Sequence, residues 1–549
     1  MHIPKIKFEY IFLILIFTAL LWTGVGNLWN HELSHDHPYS YLAGDTFQHW
    51  VRTDGIKELG SYRNRVAFQT YGYDDVIGDY PPILFHLSII LSDLSGLETY
   101  DAILFLVFLS AILGSLVMYY IIKDFNKHIA IISIPFSILI FTTAHYSGFT
   151  WGHWPSLLSQ FFLICIVWSI KNIELKKAYL LIAAFFSASI LTHTSEAIIG
   201  FLFVLFYLGI AMLQKNNPKS RFITLAKAGI ISFIISLYYL FIFKFTWGIN
   251  ETYKFSVIKE AGGSPTVQLW IYGIFSFIIL AGFIISIILL AQKKSKTALI
   301  ASIFFLIIGY TNYIGFHSRA FQIRYLWPVY LSMLVGIVIY YLLKSVMKNW
   351  TIQYSYILGI ILLALFMNIG SVAAFIPKVP YYEKFSSPGT MDPFHWQAYQ
   401  WISENTAKDA KILFLYGDRF GQTNYLLSMK RVPYKIDENH FFQTIQSQQN
   451  TNQYIINIYG DNVNGYPYWK GFGRFGYHLK ETDEFQHGLT HNICDFDYYI
   501  YDKVSHDQRF PQFNLAITNT FKEHGMEDVF SNEITAILKN NNKGEECVS

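Results

Sequence analysis

Eleven mostly apolar stretches run through this chain, and they leave little choice of fold. They centre on residues 8–28, 99–122, 128–146, 152–170, 178–192, 196–213, 222–247, 269–291, 297–316, 323–343 and 353–375. A helix needs about 20 such residues to cross the hydrocarbon of a bilayer. Backbone N–H and C=O groups find no water there, so segments of this kind must be helical. Two of the stretches, 178–192 and 196–213, are short and read as a tightly turned pair. A further segment, 82–94, is apolar but too brief to span. It opens with Pro81-Pro82, which is helix-initiating chemistry, and reads as an interfacial helix inside a first loop over 30–98.

Charge tests this count. Loops on the cytoplasmic side are enriched in Lys and Arg. With Lys5 and Lys7 inside, alternate short connections carry Lys123/Lys127, Lys171/Lys176/Lys177, Lys215/Lys219/Arg221, Lys293/Lys294/Lys296 and Lys344/Lys348. Every one is basic. Counting 82–94 as a span would reverse the sign of all later loops. The run from Tyr10 to Trp29 is long for a signal peptide and lacks a small-x-small cleavage site, so it reads as a retained anchor. The first loop, 145–154, 192–196, 248–268, 316–324 and everything after Pro377 then face outward. The first loop is acidic, with Glu32, Asp36, Asp45, Asp54, Glu58, Asp74, Asp75 and Asp79.

After Pro377 the pattern changes. Trp396 to Thr406 has helical amphipathicity. Lys411 to Tyr416, Tyr454 to Tyr459 and Tyr498 to Tyr501 read as strands. The expected architecture is an all-α membrane bundle of about eleven transmembrane helices over 1–376, followed by an extracytoplasmic α/β domain over 377–549. Only 14% of the 549 residues are charged, against about 25% in soluble domains. The net charge of +3 is too small to argue for a nucleic-acid partner. Three cysteines exclude a disulfide framework and any CxxC metal site. Cys165 lies in an apolar stretch, and a pairing of Cys494 with Cys547 stays open.

The unusual polar residues collect on the outer face. Asp45, in Ala43-Gly44-Asp45-Thr46, sits just past the first span. Partial burial at a membrane surface would raise its pKa and make it a base. The same residues are also helix-cap chemistry. Asp79, before Tyr80-Pro81-Pro82, reads first as a helix start. His49 and His86 flank these motifs as interfacial residues, and His49 is kept as a substrate-binding candidate. His145 and His153 share the turn 144–155, and their spacing is no zinc motif. Thr192-His193-Thr194-Ser195-Glu196 adds a third histidine and a carboxylate between two short spans. His317, Arg319 and Arg324 fall on the outer side, where the positive-inside rule does not expect arginine, and guanidinium forks suit phosphate.

Taken together, Gly44-Asp45…His49, Asp79-Tyr80-Pro81-Pro82, Gly152-His153-Trp154-Pro155, the outer arginines and Trp401-Ile402-Ser403-Glu404-Asn405-Thr406 resemble the GT-C superfamily. These are polytopic glycosyltransferases that use polyprenyl-phosphate-linked sugars, among them the oligosaccharyltransferase catalytic subunit and the protein O-mannosyltransferases. The resemblance implies that Asp45 is the catalytic or metal-binding carboxylate and that Arg319 or Arg324 binds the lipid phosphate. It leaves a divalent cation, Mg or Mn, open, with Asp45 and His153 as its candidate ligands. The oligosaccharyltransferase's second acidic motif would fall near 145–153, where this chain has His145 and His153. Its tryptophan-rich acceptor motif is absent, which argues against asparagine as acceptor. The expected function is inverting transfer of a sugar from a polyprenyl-phosphate donor to a protein or glycan acceptor at the extracytoplasmic face of the cell envelope. Asp45 would be the base, and Asp79, His49, His145, His153, His193, Glu196, Arg319 and Arg324 would bind substrate. The alternatives are a transporter or flippase of a lipid-linked sugar, and a non-catalytic membrane assembly protein. Inverted repeats, expected of many transporters, are not evident in the sequence.

Overall fold

The computed structural model describes residues 7–41, 44–66, 76–78, 80–141, 148–246, 275–292, 296–309, 326–347, 349–370, 391–415, 430–431, 433–436, 453–458, 469–470, 477–478, 489–504 and 509–543. Each of the eleven apolar stretches carries a helix. They are α1 (Phe8–Trp29), α4 (Thr99–Phe125), α5 (Lys127–Ser133), α6 (Trp154–Lys171), α7 (Ala178–Ile190), α8 (Thr194–Leu213), α9 (Pro218–Thr246), α10 (Phe275–Ala291), α11 (Thr297–Gly309), α12 (Trp327–Val346) and α13 (Ile352–Gly370). Six of these, α1, α4, α6, α8, α9 and α12, are long and apolar enough to cross a membrane. The others are shorter apolar helices. The first loop carries α2 (Gly44–Leu59) and α3 (Ile83–Ser95), the latter matching the brief segment expected over 82–94.

Local chemistry sets several of these boundaries. Asn126 caps α5, its side-chain oxygen accepting from the N–H groups of His128 and Ile129, which satisfies donors a helix start leaves unpaired. The α-helix then tightens into a fully buried 3-10 segment, Ile134–Phe141. Pro135 is its second residue; with no N–H to give, it cannot continue the α-helical ladder. Helices α6 and α12 both open on Trp-Pro, with the proline in the first turn where its missing N–H costs nothing.

Among the described residues after 390 are α14 (Pro393–Asn405), α15 (Arg509–Glu523) and nine strands. These are β1 (Ile412–Phe414), β2 (Pro433–Ile436), β3 (Gln453–Ile458), β4 (Trp469–Lys470), β5 (Tyr477–His478), β6 (Leu489–Asn492), β7 (Tyr498–Asp502), β8 (Glu527–Ser531) and β9 (Thr535–Lys539). Seven strands form one sheet in the order β6-β3-β2-β1-β7-β9-β8. Its centre is parallel, with β1 paired to β2 and to β7. Successive strand residues point to opposite faces, and here the two faces belong to different cores. Leu413, Tyr499, Tyr501, Ala536 and Leu538 pack with Ile517 and Phe521 of α15. Ile412, Phe414, Ile500 and Ile537 pack with Ala398, Tyr399 and Ile402 of α14, in a core continuous with that of the helical bundle.

The sheet is therefore docked on the bundle rather than tethered to it. Helix α2 lies at the joint: the Trp50 ring meets Trp396 of α14 at 5.4 Å and Tyr100 of α4 at 5.7 Å. Glu58, at the far end of α2, pairs with Lys408 and Lys430. Cys165 is free and buried, Cys494 is disulfide-bonded, and Cys547 lies outside the described residues.

Candidate active site

Three helix starts, those of α2, α6 and α8, supply the site. Asp45 falls in the first turn of α2, where a carboxylate is favoured by the positive end of the helix dipole. It is exposed, whereas Thr46, Phe47, His49 and Trp50 behind it are buried. The burial expected to make Asp45 more basic is thus not supplied by the protein itself. Asp45 stands at the end of the helix, beyond the packing that buries His49 one turn further on.

Gly152 joins α2 to α6. It has a φ of +81°, and a Cβ placed on it would stand 2.4 Å from the Thr46 nitrogen and 2.9 Å from the Asp45 Cβ. Only glycine fits both the left-handed backbone and the close approach. The turn is followed by His153, half-buried at the N-cap of α6, and by Trp154, whose indole N–H donates to the Phe149 carbonyl at 2.6 Å.

His49 stands one helical turn after Asp45, on the same face. It is 4% exposed. Desolvation pushes its pKa well below the usual histidine value, and the positive fields of Arg52, His153 and His193 add to this against a hydrogen bond with the Gly152 backbone. His49 is therefore neutral near pH 7. Around it lie Tyr80 at 5.2 Å, Phe85 at 6.1 Å and Trp154 at 6.1 Å between ring centroids.

His193 and Glu196 form a pair at the head of α8, with His193 Nδ1 against Glu196 Oε2. Glu196 is fully buried, and its other carboxylate oxygen accepts from Ser156 of α6 at 2.5 Å. A carboxylate on Nδ1 fixes the tautomer and orientation of the imidazole, and His193 is partly exposed.

The structure thus gathers Asp45, His49, His153, His193 and Glu196. Asp79, His145, Arg319 and Arg324 lie outside the described residues. Arg52 was not singled out in the sequence, although it stands three residues after His49 on α2. Its guanidinium lies over the Tyr80 ring, 4.4 Å from the centroid. Among the described residues, no three His, Cys, Asp or Glu side chains come together to hold a metal ion. Asp45 and His153 do not form such a group with their described neighbours.

Below the site, α7, α8 and α9 line an open apolar cavity of about 400 Å³. Ile190 and Ala197 line it, and these are chain neighbours of the His193–Glu196 pair. Phe201, Leu208 and Gly229 line it further along.

No protein-family model matches the chain, and no curated protein matches it. Solved structures do. The ArnT structure from Cupriavidus metallidurans bound to undecaprenyl phosphate matches at TM-score 0.55 and 12% identity, over 98% of this chain and 99% of that one. The Archaeoglobus fulgidus oligosaccharyltransferase in the apo form matches at TM-score 0.51 and 12% identity, over 78% of this chain. The same archaeal enzyme, AglB, in complex with an inhibitory peptide and a dolichol-phosphate, matches at TM-score 0.53 and 12% identity. The chain spans 64% of the length of the oligosaccharyltransferase. At this identity the likeness is one of fold: the chain shares the fold of these solved structures.

Proposed function

We propose that the chain is an integral membrane glycosyltransferase that moves a sugar from a polyprenyl-phosphate donor to an acceptor hydroxyl. One observation supports this reading: Asp45 packs on Gly152 and Glu196 bonds to Ser156, so the start of α6 carries both, and Ile190 and Ala197 beside the His193–Glu196 pair line an apolar cavity. A carboxylate, a fixed imidazole and an apolar cavity suit a substrate with a polar head and a hydrocarbon tail. Two of the structures sharing the fold contain undecaprenyl phosphate or dolichol-phosphate, which supports the same class of lipid here.

In this reading the prenyl tail lies in the cavity of α7–α9 and the sugar sits beside Asp45. The acceptor oxygen attacks the anomeric carbon as Asp45 takes its proton. The bond from that carbon to the phosphate oxygen breaks, and its electron pair leaves on the polyprenyl phosphate. Attack opposite the leaving group inverts the anomeric centre. Closure of the bound lipid over Asp45 supplies the desolvation that the protein alone does not. His193, with Arg319 and Arg324, stabilises the charge building on phosphate. His49 is neutral and buried, so it acts by holding the 152–154 turn rather than as a cation. Among the described residues no three ligands for a divalent cation are gathered, and no step is routed through one.

The basic loops support a cytoplasmic N-terminus, eleven spans over 1–376 and an extracytoplasmic domain over 377–549 that helps present the acceptor. The test is direct: purified full-length protein in detergent is given a polyprenyl-phospho-sugar and a hydroxyl acceptor. Release of polyprenyl phosphate with formation of the glycoside is expected. Binding without release, together with lipid translocation in proteoliposomes, would favour a transporter instead.

A further inference from the structure

Gln160 is fully buried two turns into α6. A polar side chain inside a membrane bundle is costly unless its hydrogen-bonding groups are satisfied, and here they are, by Ser156 of α6 itself and by the start of α12. Its side-chain oxygen accepts from the Leu326 N–H at 3.0 Å. Its side-chain nitrogen donates to Ser156 Oγ at 3.2 Å. Its backbone carbonyl accepts from the Tyr330 hydroxyl at 3.2 Å. Ser156 in turn donates to Glu196 at 2.5 Å, and Glu196 meets His193 Nδ1.

One relay therefore runs from His193 at the head of α8, across α6, to Leu326 at the N-cap of α12. The first N–H groups of a helix have no partner within it, and Gln160 supplies one for Leu326. We infer that Gln160 is a positioning residue, which holds the start of α12 against the His193–Glu196 pair and so fixes where the His193 imidazole meets the donor phosphate. This rests on the glycosyltransferase reading and deepens it.

The relay can be cut without leaving a hole. Gln160→Met keeps the length of the side chain but removes both the C=O and the NH2 of its amide. In Gln160→Glu, burial keeps the new carboxyl neutral, and a neutral acid still offers a C=O to Leu326 and an O–H to Ser156. The probe is a polyprenyl monophosphate, titrated into purified full-length protein, with kcat and KM for the sugar donor measured alongside. Gln160→Met is expected to weaken lipid-phosphate binding and raise KM by about tenfold, the scale of one lost hydrogen bond with its orphaned partners. Gln160→Glu is expected to restore both at acidic pH and to lose them on alkalinisation, as the carboxyl ionises and its donor disappears. A role in packing alone would not give that pH-dependent rescue. If Gln160→Met does not fold, Ser156→Ala breaks the same relay and must weaken binding in the same direction. Wild-type binding and KM in the folded Gln160→Met or Ser156→Ala variant would overturn the inference alone. Wild-type protein that ignores polyprenyl phosphate would overturn the glycosyltransferase reading with it.

Discussion

The backbone of Gly152 lies against that of Asp45, so closely that a methyl group on Gly152 would stand 2.6 Å from the Asp45 carbonyl carbon. This contact joins residues 107 positions apart (152 − 45) and sets where the carboxylate stands relative to the heads of α6 and α8. Gly152→Ala must strain a left-handed backbone and push α2 away. The expected cost is about 1–3 kcal/mol of stability. Displacing Asp45 by about 1 Å is expected to lower turnover by about a hundredfold. Thermal unfolding and donor turnover of Gly152→Ala check this, and wild-type values would show that the contact does not place the base.

The cavity of α7–α9 gives a second prediction. A Cβ added to Gly229 would meet no atom within 4 Å, so Gly229→Trp should fold and fill the cavity. Each buried methylene is worth about 0.8 kcal/mol. Excluding two of them from the prenyl tail should raise KM for a long-chain donor by more than about tenfold. Turnover of a short-chain donor analogue should be unchanged. Equal KM values for the long-chain donor would place the tail elsewhere.

His395 anchors the sheet to α14. Its two ring nitrogens meet Asp392 at 2.6 Å and Asp502 at 2.9 Å, and all three side chains are buried. Desolvation works against the charged ring, but Asp392 and Asp502 outweigh it and hold the His395 pKa well above the usual value. Desolvation likewise opposes the Asp392 charge, and His395 with two backbone N–H groups outweighs it, so that pKa is lowered. His37, from the loop after α1, also faces Asp392. The sign follows for each group. The His395 contribution is complete below the unfolded histidine value of about 6.5 and is lost as pH rises through the folded value. The Asp392 contribution is complete above the unfolded value of about 3.9 and is lost as pH falls. Stability from this pair should therefore be greatest between those limits. Removing one partner, as in His395→Leu, should cost about 3–5 kcal/mol and abolish the alkaline decline in a pH series of melting temperatures. A decline that survives in His395→Leu would assign it to another group.

Much of this was legible in the chain, because a bilayer restricts what sequence can say. All eleven apolar stretches carry helices, and Trp396 to Thr406, Lys411 to Tyr416, Tyr454 to Tyr459 and Tyr498 to Tyr501 coincide with α14, β1, β3 and β7. The site was less so. Gly44-Asp45-Thr46 hinted at a helix start, but nothing local showed that Asp45 would be exposed and His49 buried, since that depends on the turn carrying Gly152. The link from Gln160 to Leu326 crosses 166 positions, and no periodicity encodes it. The docking of the sheet on the bundle was equally hidden, because the alternating faces of β1 and β7 do not say which core each will meet.

The central claim is that Asp45 takes the proton from the acceptor. Asp45→Asn keeps the size and polarity of an exposed first-turn residue and removes only the basic oxygen. Turnover of a polyprenyl-phospho-sugar by this variant, measured beside its affinity for polyprenyl phosphate, tests the claim most directly. The account predicts unchanged affinity with transfer reduced by at least about a hundredfold, the lower range for losing a general base. Turnover at the wild-type rate would contradict it.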